Sequence, residues 1–208
     1  MLHYLSTQLT SLQRYKLLSG SLIPRPIAWV TSQAPNGSGP VNLAPFSYFS
    51  TMPSDIPLLT LAIGRRLDGR PKDTAQNILT SEEAVIHLVD QAHLTQMNQT
   101  AATLPANQSE LSLADFKTQP SRSVSVPSLI GPKVRFETTL YQTVPVQNHE
   151  DQIVTDLFIL EVTDFYFAEE VLDQKTMHVN ATVLDPVGRL AGPTYTGLGD
   201  LTTLIRPK

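Results

Sequence analysis

Three short stretches of the chain combine residue types that do chemistry. The first runs Gly64-Arg65-Arg66-Leu67-Asp68-Gly69-Arg70-Pro71-Lys72-Asp73-Thr74 and sets Arg65, Arg66, Arg70 and Lys72 against Asp68 and Asp73. It leads into a helix expected over Asp73–Thr80, with Asp73 as N-cap and Gln76 completing a capping box. Free backbone N–H groups and the helix dipole draw anions to such an end. Lys72 and the Thr74 hydroxyl add donors suited to a phosphate. Asp73 would repel that anion, so its expected place is in the cap, turned away. The plainer alternative is a solvated basic loop.

The second stretch is Ile23-Pro24-Arg25-Pro26-Ile27-Ala28-Trp29-Val30-Thr31-Ser32. Prolines on both sides of Arg25 restrict the backbone and hold an arginine in place before a strand. The third, Val41-Asn42-Leu43-Ala44-Pro45-Phe46-Ser47-Tyr48-Phe49-Ser50, interleaves small residues and hydroxyls with aromatics, which suits a flat ligand against the backbone. Taken singly, the plainer readings lead: an ordinary edge-strand entry with Trp29 in the core, and a strand with a bulge.

Other chemistries are excluded. The chain has no Gly-x-Ser-x-Gly elbow, no Walker loop and no Gly-x-Gly-x-x-Gly after a strand. The five histidines, His3, His87, His93, His149 and His178, form no His-x-x-x-His pair, so no metal site is expected. His87, inside the apolar run Ala84–Val89, reads as a satisfied core histidine. Cysteine is absent, which removes disulfides, thiolate catalysis and iron–sulfur clusters. A formal charge of −4 disfavours a nucleic-acid partner. No apolar run is long enough to span a membrane, and Met1–Gly20 does not read as a signal peptide. A cytoplasmic protein is expected.

The elements that must position these stretches are mostly strands. Sixteen prolines in 208 residues argue against long helices. Strands are expected over Ile27–Ser32, Val41–Ser50, Leu58–Ile63, Ala84–Val89, Val134–Val144 and Ile153–Phe167, with a second short helix over Ala92–Ala101. The Ser/Pro-rich Gln119–Pro132 should wrap the surface. Ile153–Phe167 is apolar on both parities near Phe158–Val162, which suggests burial on two sides, within a barrel or at a subunit contact. A single domain over residues 1–208, built on a closed or half-closed antiparallel barrel, accommodates this pattern.

In their order, the stretches resemble the flavin reductase-like family with the FMN-binding split β-barrel (Greek-key) fold, in particular its flavoredoxin-like branch. The landmarks are Tyr15-Lys16-Leu17-Leu18, Pro24–Thr31, Asn42–Phe49, Gly69–Thr74 with Asn77-Ile78, Met97–Thr100 and Asp185–Tyr195. They span about residues 12–197. Gln119–Gly131 and the acidic Glu137–Asp173 follow the family only in outline.

The resemblance implies FMN as cofactor and NADH or NADPH as electron donor, with electrons passed to flavin, oxygen or a partner protein. It also implies a homodimer that buries the open side of the barrel. Lys72 and Thr74 would meet the FMN phosphate, with Thr31 and Arg25 nearby. Backbone N–H groups of Ala44, Phe46 and Ser47, with the Asn42 amide, would face the flavin edge that gains charge on reduction. Pro26, Trp29, Pro45 and Asp73 complete the implied cofactor-binding set. Hydride transfer to a flavin needs no protein nucleophile, so no catalytic side chain is expected. The alternative is an FMN-binding electron carrier without its own nicotinamide site. A barrel that has lost FMN fits poorly with the intact Lys72-Asp73-Thr74.

Overall fold

The computed structural model describes residues 1–207. Seven strands form one antiparallel sheet: β1 (Ala28–Ser32), β2 (Asn42–Phe46), β3 (Phe49–Thr51), β4 (Leu58–Gly64), β5 (Glu83–Leu88), β6 (Val134–Gln147) and β7 (Ile153–Phe167). Their order across the sheet is β2-β1-β5-β6-β7-β4-β3. The edge strands β2 and β3 are thus joined by only Ser47 and Tyr48. Successive Cα atoms lie about 3.8 Å apart, so Phe46 and Phe49 are at most ~11 Å from each other. Two opposite edges can approach that closely only if the sheet curls round, which is a split barrel. The expected single strand over Val41–Ser50 is therefore two strands meeting at a corner. Register shifts in the β6–β7 pair, at Ile153/Thr155, Ile159/Leu160 and Val162/Asp164, supply local bends.

The barrel interior is apolar. Ala28 and Val30 of β1, Leu59, Leu61 and Ile63 of β4, Ile86 of β5 and Phe158, Leu160 and Val162 of β7 form one buried cluster. Helix α2 (Asp73–Ser81) adds Ala75 and Ile78 to it. The doubly apolar run in β7 resolves into alternation. Asp156, Phe158, Leu160 and Val162 are buried, while Leu157 and Ile159 on the other parity are half-buried. β1 is buried along its whole length because its second face is covered too. Trp29 and Leu43 pack there against Met97, Leu129 and Val187.

Four further elements depart from the sequence expectations. Helix α1 (Ser11–Ser21) precedes the barrel, capped by a reciprocal Thr10–Gln13 box. Only Ser19 in it is buried, so no apolar periodicity marked it. Helix α2 starts one residue earlier than Asp73 would allow as a cap. Its N-cap is Lys72, which makes no side-chain cap bond, and Asp73 lies in the first turn. The segment expected to wrap the surface does cover β5, but it buries Val124 and Val126 against Val85. The expected helix over Ala92–Ala101 is a 3-10 turn, Gln91–His93, running into the short α3 (Leu94–Gln99).

His87 is fully buried. Its Nδ1–H donates to the Trp29 carbonyl at 2.9 Å, and Nε2 accepts the Leu129 N–H at 2.9 Å. Burial pushes its pKa down to about 3. The unfolded chain takes a proton near pH 6.5 that the folded one refuses, so stability falls as pH drops below 6.5. Between pH 7.5 and 5.0 this amounts to about 2 kcal/mol of unfolding free energy. Urea denaturation at the two pH values should show a loss of that size, diminished in His87→Asn. An identical pH dependence in the variant would reject the assignment.

Candidate functional site

A cleft of about 520 Å³ lies along the outer edge of the barrel. Its floor is β2, an edge strand, continuing through the Ser47–Tyr48 corner. Over Asn42 to Ser47 an extended chain covers roughly 16 Å, and different groups stand at the two ends.

At the Asn42 end is the start of α2, with Lys72, Asp73 and Thr74 lining the cleft. The Asn42 amide donates to the Thr74 Oγ1 at 2.7 Å, and both side chains are buried. With its oxygen engaged as acceptor, the Thr74 hydroxyl keeps its hydrogen for an acceptor in the cleft. The Asp73 carboxylate accepts from Arg66 at 2.6 Å. That pairing neutralises the one acid at the helix start, as an anion site there requires. Lys72 is exposed and has no ion-pair partner among the described residues.

At the Ser47 end Arg25 acts as a brace. Its Nε lies 3.4 Å from the Ser47 hydroxyl, Nη2 donates to the Leu190 carbonyl at 3.2 Å, and Nη1 donates to the carbonyls of Leu22, at 3.0 Å, and Ser19. Arg189, held opposite Arg25 by strand pairing, lines the same end with Gly192 and Tyr195. Tyr15 of α1, Met97 and the segment Thr100–Leu104 complete the walls.

Of the residues singled out from the sequence, Arg25, Asn42, Ala44, Pro45, Phe46, Ser47, Lys72, Asp73 and Thr74 come together around this cleft. Three do not. Trp29 is buried behind the strand, its Nε1–H donating to the Thr100 Oγ1 at 2.9 Å. The Thr31 hydroxyl donates to the Pro127 carbonyl at 2.8 Å. Both belong to the covered outer face of β1 and are buried under the segments they bond to. Pro26 lines a different, largely apolar groove with Phe49, Met52, Pro57 and Phe165.

The backbone donors also sort differently. The Leu43 N–H points off the sheet edge, to the buried Glu110 carboxylate at 3.0 Å. Alternate residues of a strand face alternate edges, so Ala44 and Phe46, opposite Val30 and Ala28, turn their N–H groups into the β1 ladder. Of the three expected backbone donors only Ser47 lies outside it. Pro45 sits where the missing N–H would face away from the sheet, the one place an edge strand tolerates it.

The sequence reading assigned no part in the site to Arg66, Glu110, Arg189 or Tyr195. Arg189 and Tyr195 belong to the Asp185–Tyr195 landmark, which marked their importance without a place. For Glu110 no local signal exists, since its partner is 67 residues away.

A curled antiparallel barrel with an anion-ready helix start beside an edge strand is the architecture of flavin-handling split barrels. The chain matches the Flavin reductase like domain over residues 19–184 and belongs to that family. It is 41% identical to the Bacillus subtilis protein YwrF, over 96% of each chain. Among solved structures it is similar to nitrilotriacetate monooxygenase component B from Bacillus cereus, with 37% identity, a TM-score of 0.93 and 98% of each chain covered. Flavoredoxin of Desulfovibrio vulgaris (Miyazaki F), at 16% identity and a TM-score of 0.71 over 88% of this chain and 91% of its own, shares the fold. Among the described residues no helix is long and apolar enough to cross a membrane, and no cluster of His, Asp and Glu could hold a metal ion.

Proposed function

We propose that the cleft holds FMN and that the protein is a cytoplasmic oxidoreductase, taking electrons from NADH or NADPH and passing them to free flavin, oxygen or a partner protein. The observation that carries this reading is the Asn42 end of the cleft. A free lysine, a threonine hydroxyl oriented by Asn42 and the first turn of α2 line that end, with the acid of the turn already paired. That donor set fits a phosphate. Arg25, Ala44, Pro45, Phe46 and Ser47 line the rest of the bed for the flavin. When bound, FMN supplies the redox chemistry, and the chain supplies binding, orientation and electrostatics.

Lys72 and Thr74 hold the phosphate. Pro45 and Phe46 present a flat wall to the ring system. The Ser47 N–H and hydroxyl, with Arg25 behind them, offer fixed donors where negative charge grows on reduction. The monooxygenase component B among the similar structures supports a redox partner for this protein too. Titration with FMN should generate a flavin-bound species, and NADH and NADPH oxidation with and without added FMN tests the activity. Absence of FMN binding up to millimolar concentration rejects the reading. Tight FMN with no oxidation of either nicotinamide would favour an electron carrier.

The protein should also be a homodimer. Leu12, Tyr15, Leu18 and Leu22 in and after α1, and Leu201, Leu204 and Ile205 in the C-terminal segment, are all exposed. A monomer rarely leaves so much apolar surface open, and two-fold dimers are the commonest oligomers. Light scattering is expected to give about twice the 22.9 kDa chain mass. A particle of monomer mass with FMN bound would count against it.

A further inference from the structure

Cations stand at both ends of the cleft. Arg66 is paired with Asp73, and Glu110 is committed to the Leu43 N–H. Arg25 spends its donors on three carbonyls and a hydroxyl and is built in as a brace. Arg25, Lys72 and Arg189 have no acidic partner among the described residues; with Arg25 spent as the brace, Lys72 at one end and Arg189 at the other remain. The strand between the two ends, from Asn42 to Ser47, is roughly 16 Å long.

Arg189 is half-buried and rigidly held by neutral groups alone. Its guanidinium lies 4.5 Å from the centre of the Tyr195 ring. Nη1 donates to the Tyr195 hydroxyl and Nη2 to the Gly192 carbonyl. Tyr195 is itself fixed, its hydroxyl donating to the Asn98 Oδ1 at 2.9 Å. A guanidinium has five N–H donors, so three are left over. An oriented fork with spare donors and no counter-charge is suited to a planar or tetrahedral oxyanion.

We propose that Arg189 anchors a second anionic group in this cleft, the carboxylate or phosphate oxygens of the molecule that exchanges electrons with the flavin. The proposal rests on the FMN reading above, which assigns the other end to the cofactor phosphate. It makes the co-substrate an anion held through Arg189, with Tyr195 and Asn98 as the residues that position the guanidinium.

Isothermal titration of the FMN-loaded protein with benzoate, benzamide and NADH tests this, in wild type, Arg189→Met and Arg189→Lys. Benzoate or NADH should bind at least tenfold more weakly to the Met variant and partly recover with Lys. Neutral benzamide should not distinguish the variants, and FMN affinity should stay within about twofold. A response to benzoate alone identifies a small organic acid, and a response to NADH alone identifies the dinucleotide diphosphate. Equal affinity of both anions for wild type and Arg189→Met overturns the proposal, as does binding of neither. An Arg189→Met variant that loses FMN instead would assign the side chain to the cofactor and also overturn it. Should wild type fail to bind FMN, the flavin reading falls, while benzoate titrated into that same protein still decides whether Arg189 anchors an anion.

Discussion

Lys72→Ala should weaken FMN binding about 10- to 150-fold while leaving riboflavin affinity nearly unchanged. The substitution removes one charge-assisted hydrogen bond to a phosphate, a class worth roughly 1.5–3 kcal/mol, at 1.4 kcal/mol per factor of ten. Lys72 is exposed at the N-cap of α2 and caps nothing with its side chain, so its loss does not undo the helix. Riboflavin lacks the phosphate, and the contrast between the two titrations separates a phosphate contact from damage to the fold. Were Lys72 only a solvated loop residue, both affinities would move by no more than ~0.5 kcal/mol. An equal loss of both ligands would likewise reject its role.

Arg65→Met, in the same basic loop, should do the opposite. It should destabilise the protein by about 3–5 kcal/mol and leave the FMN affinity of the folded protein within ~0.5 kcal/mol of wild type. Arg65 Nε and Nη2 grip the Asp156 carboxylate at 3.0 and 2.8 Å. Asp156 lies near the start of β7, opposite Ile63 in β4, with its side chain 3% exposed. Removing the arginine strands a buried carboxylate, which costs far more than the pair contributes. Chemical denaturation measures the loss, and the double change Arg65→Met with Asp156→Leu should recover most of it. If Arg65→Met instead lowers FMN affinity as much as Lys72→Ala does, the loop acts as a collective basic patch and the division of labour is wrong.

These two neighbours show where sequence reasoning stops. Arg65, Arg66 and Lys72 are alike in type and lie within eight positions. One neutralises a buried acid from β7, one neutralises the first-turn acid of α2, and one is left free. Nothing local distinguishes them, because the distinguishing partner of Arg65 is 91 residues away. The acidic stretch Glu137–Asp173 is similar. Glu137 is buried and accepts backbone N–H groups from Arg122 and Ser123, so it pins the covering segment rather than facing a partner.

What the sequence alone determined is whatever follows from local rules. Proline and β-branched residues set a mostly β chain, apolar runs marked six strand regions, and the ordered landmarks identified the family. Nine of the twelve residues singled out for the site line one cleft, since they sit in short segments whose turns and helix start are locally encoded. The tertiary structure decided which face each strand residue presents. Trp29 and Thr31 follow an arginine that lines the cleft, yet the Gln91–Gln99 region and Pro127 cover their face of β1. It decided that Ala44 and Phe46 give their N–H groups to the ladder, because Leu43 reaches outward to Glu110. It also brought Arg189 beside Arg25 across 164 residues of chain. A strand's side-chain alternation is written in its own sequence, but what covers each face depends on pairing and packing between distant segments, and no local pattern carries that information.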